Sequence, residues 1–367
     1  MSVLLTGATG FVGMEVLARL LEGDEEVIAL VRGGDDEEAG ARLATVLDGL
    51  GVATAERSRA RAVAAELTEP GLNIAEATAD ALVDEVTEIV HCAASVSFAL
   101  PLGEARAINV NGTRGVLELA QRIGQRGALR RMVHVSTAYV AGRHRGRFAE
   151  RDLYIGQEFR NTYEETKAEA EALVDAAAQD LPIVTLRPSI IMGESDTGWT
   201  PAFNVLYWPL RAFDRGLLPS IPTKPGNRVD VVPVDFVADA IVHLLREPSD
   251  VRGAVHATAS DAAPTAQELV ALAAQTLGRD RPPLVEGADD SLGRHSEEAA
   301  QYMPYFDMEM VFDDERARSL LGPAGIVAPP LHDYFPALVD YARRTRWGKA
   351  HLTRAQAREQ ASTAPAA

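Results

Sequence analysis

Tyr163 and Lys167 stand four residues apart in the run Tyr163-Glu164-Glu165-Thr166-Lys167. In a helix that spacing puts both side chains on one face, about one turn apart. An ammonium there stabilises phenolate and draws a tyrosine pKa down from ~10 toward a range useful for proton transfer. The spacing alone occurs by chance in many helices. It gains weight here by following a hydroxyl-bearing strand end, Val135-Ser136-Thr137-Ala138-Tyr139-Val140, and a glycine turn near the start of the chain. That turn, Thr6-Gly7-Ala8-Thr9-Gly10-Phe11-Val12-Gly13, follows a short apolar run directly and opens a helical pattern. Its glycines permit a tight turn, close approach of a pyrophosphate and close helix–strand packing. The helix N-terminus then offers unpaired N–H groups and a positive dipole end to the phosphates. Arg32 ends the second apolar run where an acidic residue would bind a ribose 2′-hydroxyl, and a guanidinium there can fork onto a 2′-phosphate. NADPH is the expected cofactor. His91, Cys92 and His134 also carry reactive atoms, but no second Cys or ligand-spaced His accompanies them, so packing is expected of all three and no metal site.

The elements that must position these groups alternate. Val3–Leu5, Glu26–Val31, Arg61–Ala65, Glu88–His91, Met132–Ser136 and Ile183–Leu186 read as strands, with helical patterns between them. Runs rich in Val, Ile and Leu suit strands buried on both faces, which predicts an α/β fold with a Rossmann-type, doubly wound parallel sheet. After Gly193 the rhythm breaks into a proline-rich, aromatic stretch, and Arg228–Leu245 reads as a returning strand and helix with Asp235 as its N-cap. The expected division is a nucleotide-binding domain over 1–195, rejoined by 228–250. A smaller mixed substrate-binding region would use 196–227 and 251–350, with a flexible tail over 351–367. Net charge is −17 over 367 residues, which speaks against nucleic acid as a general partner. A single Cys excludes an intrachain disulfide framework, and no apolar run approaches the ~18 residues of a membrane span. A reduced, cytoplasmic protein is expected.

Taken together, TGATGFVG (6–13), LVR (30–32), LTEPGL (67–72), VHCAASVSF (90–98), INVNGTRGVLELA (108–120), VHVSTAYVAG (133–142), LRPSIIMGE (186–194) and VDVVPVDFVADAI (229–241) resemble an extended short-chain dehydrogenase/reductase. Within that superfamily the chain is similar to the fatty acyl-CoA reductases, or male sterility group, and to thioester-reductase domains. The resemblance implies that Tyr163 is the proton donor, Lys167 holds the nicotinamide ribose, and Thr137, rather than Ser136, is the catalytic hydroxyl. It implies that Asn109 organises the helix facing the site, and that Thr6, Gly7, Thr9, Gly10, Phe11, Val12, Gly13, Arg32, Leu67, Ala93, Pro188, Ser189 and Ile190 contact the cofactor. The family has Gly-Asp-Leu where this chain has Ala65-Glu66-Leu67, leaving Glu66 as a longer substitute beside adenine.

The function so implied is NADPH-dependent reduction of an acyl thioester, presented by CoA or a carrier protein, to aldehyde and onward to alcohol. The alternatives are reduction of a free ketone or aldehyde, a sugar-nucleotide epimerase or dehydratase, and a catalytically silent nucleotide-binding module; intact Tyr163 and Lys167 argue against the last. The segment Trp199–Leu218 is expected either to wall a substrate pocket through Phe203, Leu206, Tyr207, Trp208, Leu210 and Phe213 or to pack the second region's own core. The basic run 143–147 is read as a solvated loop or as a contact for the phosphates of CoA or a carrier-protein arm, and the run 343–358 as a helix end plus tail or as a membrane or carrier contact.

Overall fold

A computed structural model describes residues 2–203, 205–286 and 302–363. Seven strands form one parallel sheet in the order β3-β2-β1-β4-β5-β7-β11. They are β1 (Ser2–Thr6), β2 (Glu26–Val31), β3 (Ala60–Ala64), β4 (Glu88–His91), β5 (Arg131–Val135), β7 (Ile183–Pro188) and β11 (Gly253–Ala257). Alternation along the strands sends side chains to two separate cores. Val3 and Leu5 face a layer that includes α1 (Phe11–Glu22) and, from later in the chain, α9 (Val234–Arg246). Leu4 faces α4 (Glu76–Glu85) and α6 (Gly112–Gln125) on the other side. A strand buried on both faces is apolar at most positions, which is why β1 and β2 read as runs of Val, Ile and Leu. The doubly wound expectation holds. Strand order reverses between β1 and β4, and a crevice opens beyond their carboxyl ends, where such folds place ligands.

Three expectations need correction. The sheet does not end near residue 250, because β11 pairs with β7 along Gly253↔Val184 to Ala257↔Pro188. Its sequence, Gly-Ala-Val-His-Ala, has one β-branched residue and gives a weak strand signal. Asp235 is not the N-cap of α9, a position held by Pro233. It lies in the first turn, where it accepts from Ser195 N at 3.0 Å and Ser195 Oγ at 2.5 Å. The tail is not loose through residue 363, since Arg354–Thr363 is helical. Arg354 is 2% exposed and bonds to Glu194 Oε1 at 2.6 Å and Glu15 Oε2 at 2.9 Å. A buried guanidinium between two buried carboxylates anchors the segment. Residues 364–367 of the expected tail and 287–301 of the second region lie outside the described residues.

The second region builds its own core from α8 (Tyr207–Asp214), α10 (Ala266–Leu277) and the helix Leu331–Arg344. A short parallel pair, β6 (Gly146–Phe148) with β13 (Met310–Phe312), stitches it to the first, and β8 (Ile190–Met192) pairs with β10 (Val231–Pro233) inside the first.

Candidate active site

The crevice starts at the glycine turn. Gly7 has φ +77°, and a Cβ there would stand 2.8 Å from Ala93 N. A Cβ on Gly13 would stand 2.0 Å from Gly7 O, so α1 can meet the turn this closely only without a side chain at that position. Gly10 N–H donates to Gly7 O at 2.8 Å and caps α1 without a side-chain bond, leaving the helix end with free N–H groups. Thr6 lines the crevice, but its hydroxyl is engaged with His91 Nδ1 at 2.7 Å and accepts from Ala93 N at 3.1 Å. It pins the ends of β1 and β4 together.

A cleft of about 260 Å³ follows, lined among others by Thr6, Gly7, Thr9, Arg32, Glu66, Leu67 and Ala93. Arg32 Nε sits 3.3 Å from Glu66 Oε2, with the Arg32 side chain 74% exposed. Such a surface pair contributes ~0–1 kcal/mol, so an incoming phosphate displaces it at little cost. Glu66 also accepts from Thr68 Oγ1 at 3.1 Å. Sequence reasoning missed Arg42, which lines the same cleft from α2 (Asp36–Leu50) and donates to Arg32 O at 2.6 Å. Its signal was a second arginine ten residues after the first, on the helix that follows β2. A glycine turn and an open helix end, with two guanidiniums beside them, fit a dinucleotide. Gly10, Phe11, Val12 and Gly13 border the turn. Pro188, Ser189 and Ile190 lie where β7 passes into β8, and Ser189 N–H donates to Ala257 O at 3.2 Å.

Thr137, Tyr163 and Lys167 converge beyond the end of β5. Asn161 caps α7 (Thr162–Ala177) by accepting from Glu164 N, which sets Tyr163 in the first turn and Lys167 one turn on. Thr137 caps the turn Ala138–Ala141 and hydrogen-bonds the Tyr163 hydroxyl. Lys167 Nζ donates to Val135 O at 2.9 Å. Burial pulls the lysine down to about 8, against the opposing pull of Glu171. The expected lowering of the tyrosine is corrected. Burial pushes Tyr163 up to about 12, only partly offset by the Thr137 hydrogen bond. The ammonium is directed at the Val135 carbonyl, and the Phe98 ring stacks on the phenol at 5.6 Å. The phenol form of Tyr163 is therefore favoured over the phenolate.

Ser136 is turned away, donating to Glu171 Oε2 at 2.5 Å, and Glu171 accepts from Arg187 Nε at 2.8 Å. Asn109 lies in the π-turn Ala107–Asn111. It accepts from Ser95 N at 2.8 Å and donates to Thr166 Oγ1 at 2.9 Å, tying the loop after β4 to α7. His91 is buried between Thr6 and Thr113 and pulled down to about 3 by burial. Burial raises the Cys92 thiol to about 12, which leaves it unreactive. His134 is buried with no hydrogen bond to either ring nitrogen. The aromatic cover on Tyr163 was also missed. Phe98 contacts Tyr302 and Tyr305 at 5.3 and 5.2 Å, and Tyr305 donates to the buried Glu164 at 2.6 Å.

The parallel sheet, glycine crevice and Thr–Tyr–Lys cluster define an extended short-chain dehydrogenase/reductase scaffold. The chain belongs to the family described as male sterility protein, whose model matches residues 5–241. That family comprises NAD(P)H-dependent oxidoreductases, and a nicotinamide dinucleotide is the cofactor of this chain. Fatty acyl-CoA reductase 1 of Xenopus laevis is 31% identical over 276 residues, covering 65% of this chain and 53% of the relative. The chain thus spans about half the length of the curated fatty acyl-CoA reductases it matches. Isonitrile lipopeptide synthase of Streptomyces coeruleorubidus is 34% identical over 251 residues, 66% of this chain and 16% of that protein. The crystal structure of the terminal R domain from the myxalamid PKS-NRPS pathway superposes with a TM-score of 0.81 at 25% identity, covering 95% of this chain and 92% of that one. Among the described residues no helix is long and apolar enough to cross a membrane.

Proposed function

We propose that the chain is an NADPH-dependent reductase of acyl thioesters carried on CoA or on a carrier protein, giving aldehyde and, with a second hydride, alcohol. The observation that carries this reading is the Thr137–Tyr163–Lys167 cluster, with Tyr163 held protonated beside the nucleotide crevice. A bound dihydronicotinamide supplies the hydride to the carbonyl carbon. Thr137 and Tyr163 donate to the oxyanion as charge develops, where preorganised donors contribute most. Tyr163 yields its proton to give the hemithioacetal, whose collapse breaks the C–S bond and releases thiol. Lys167 holds the ribose and, as an ammonium, keeps Tyr163 able to donate. Arg32 and Arg42 hold the 2′-phosphate. Fatty acyl-CoA reductase and R-domain relatives support the substrate class.

The test is NADPH consumption against a panel of acyl-CoAs, aldehydes and ketones, with products identified by mass. Turnover of thioesters to aldehyde or alcohol is the expected result. Turnover of free ketones alone replaces the thioester reading with the free-carbonyl one.

A further inference from the structure

The 302–306 segment has two working faces. Tyr302 and Tyr305 pack on Phe98, whose ring lies on Tyr163. Met303 and Phe306 point the other way and wall a cavity of about 50 Å³. Leu210 and Phe213 of α8 and Leu269 and Ala273 of α10 supply other walls, and the lining surface is wholly apolar. Among the described residues the wall's one polar side chain, Thr223, is spent: its hydroxyl donates to Phe306 O at 2.6 Å. A cavity with no donor or acceptor offers water nothing and stays dry. At ~10–15 Å³ for each water-sized group, it has room for about four such groups. That suits the end of an alkyl tail and excludes a sugar, nucleotide or pantetheine arm, whose polar groups would go unpaired.

We propose that this cavity receives the hydrocarbon end of the substrate and sets its chain-length preference, with the 302–306 segment as the partition between tail and reacting carbonyl. The proposal deepens the thioester-reductase reading and rests on it for the identity of the substrate. Each methylene taken from water into such a cavity contributes about fourfold in binding. Filling it therefore removes up to about two orders of magnitude of long-chain preference.

The test compares wild type with Ala273→Phe, which occupies the cavity, and Met303→Ala, which widens it from a half-buried position. The ratio of kcat/KM for dodecanoyl-CoA over butanoyl-CoA is expected to fall at least tenfold in Ala273→Phe and to rise in Met303→Ala. An unchanged ratio in folded variants, judged by Tm and NADPH affinity, overturns the proposal. If Ala273→Phe fails to fold, the direction of the Met303→Ala change decides. Binding of cis-parinaric acid, a fluorescent polyene fatty acid, is measured without NADPH and separates failure of the cavity from failure of the reductase reading. Saturable binding weakened at least tenfold in Ala273→Phe keeps the cavity assignment even if no thioester is reduced. Absence of saturable binding to wild type, or equal binding to the variant, removes it.

Discussion

The nucleotide cleft and the apolar cavity are built on opposite plans. The cleft is made largely of backbone: a glycine turn, a helix end and the tips of neighbouring parallel strands, with most of its key residues inside the first hundred positions. The cavity is made of side chains from α8, α10 and the 302–306 segment, brought together across about a hundred residues of sequence. A backbone site demands particular residue types at fixed spacing, so it leaves a motif. A side-chain site demands only apolar volume, which many sequences supply, so its walls can change while the cleft stays the same.

The hardest blow to this comparison falls on the catalytic side. Tyr163→Phe keeps the ring and its contact with Phe98 but deletes the proton donor. Turnover should fall by about two to four orders of magnitude with NADPH binding nearly intact. Near-native turnover with chemistry limiting the rate would remove Tyr163 from its role. Next comes the join between the C-terminal helix and the nucleotide-binding region. Arg354→Ala leaves Glu15 and Glu194 buried without their shared cation, and should cost about 3–5 kcal/mol in denaturant unfolding. A loss below ~1 kcal/mol would mean that the C-terminal helix is only loosely applied.

Arg32→Ala sharpens the cleft side. Loss of a charge-assisted bond costs ~1.5–3 kcal/mol, so the NADPH Kd should rise about 10- to 100-fold while the NADH Kd moves less than about threefold. Equal losses for both cofactors would reassign the phosphate to Arg42 or elsewhere. The pH profile tests Lys167, whose pKa is lowered to about 8. Its working form is the ammonium, present below that value and lost above it. Reduction should hold level under pH 8 and then decline about tenfold per unit at most, whereas Lys167→Arg should flatten the break. The smallest effect is expected at Trp208, half-buried on α8 and absent from the cavity wall. Trp208→Ala should leave chain-length preference unchanged, and a clear shift would redraw the wall.

That last case shows where sequence reading reaches its limit. The strands, the turn and the Tyr163/Lys167 pair were legible because period, glycine placement and helical spacing each report on local backbone. The aromatic stretch 199–218 was legible only as apolar. Leu206, Leu210 and Phe213 face the cavity, while Trp199 turns to Phe11 with ring centroids 5.9 Å apart and Phe203 packs on Tyr207 and Tyr341. Helical spacing fits both fates, and tertiary packing chooses between them. The basic runs behaved similarly. Arg147 pairs with Asp261 and Arg343 with Asp214, pairings that no local pattern announces, whereas Arg344–Asp340 is an i,i+4 pair. The tyrosine's pKa went the other way from expectation because spacing reveals the lysine but not the ring of Phe98 above the phenol.

The knot at Glu15 has a consequence for how the chain is made. Its cation, Arg354, is 339 residues away. At synthesis rates of ~5–20 residues per second, on the order of 20–70 s separate the two on the ribosome. Throughout that interval Glu15 has only Arg19, one turn away on its own helix, to offset a carboxylate destined for burial. The packing around Glu15 is therefore completed only when the helix Arg354–Thr363 emerges, and a nascent chain halted before Arg354 should be more open to proteases at α1 although every strand of the sheet has already been made.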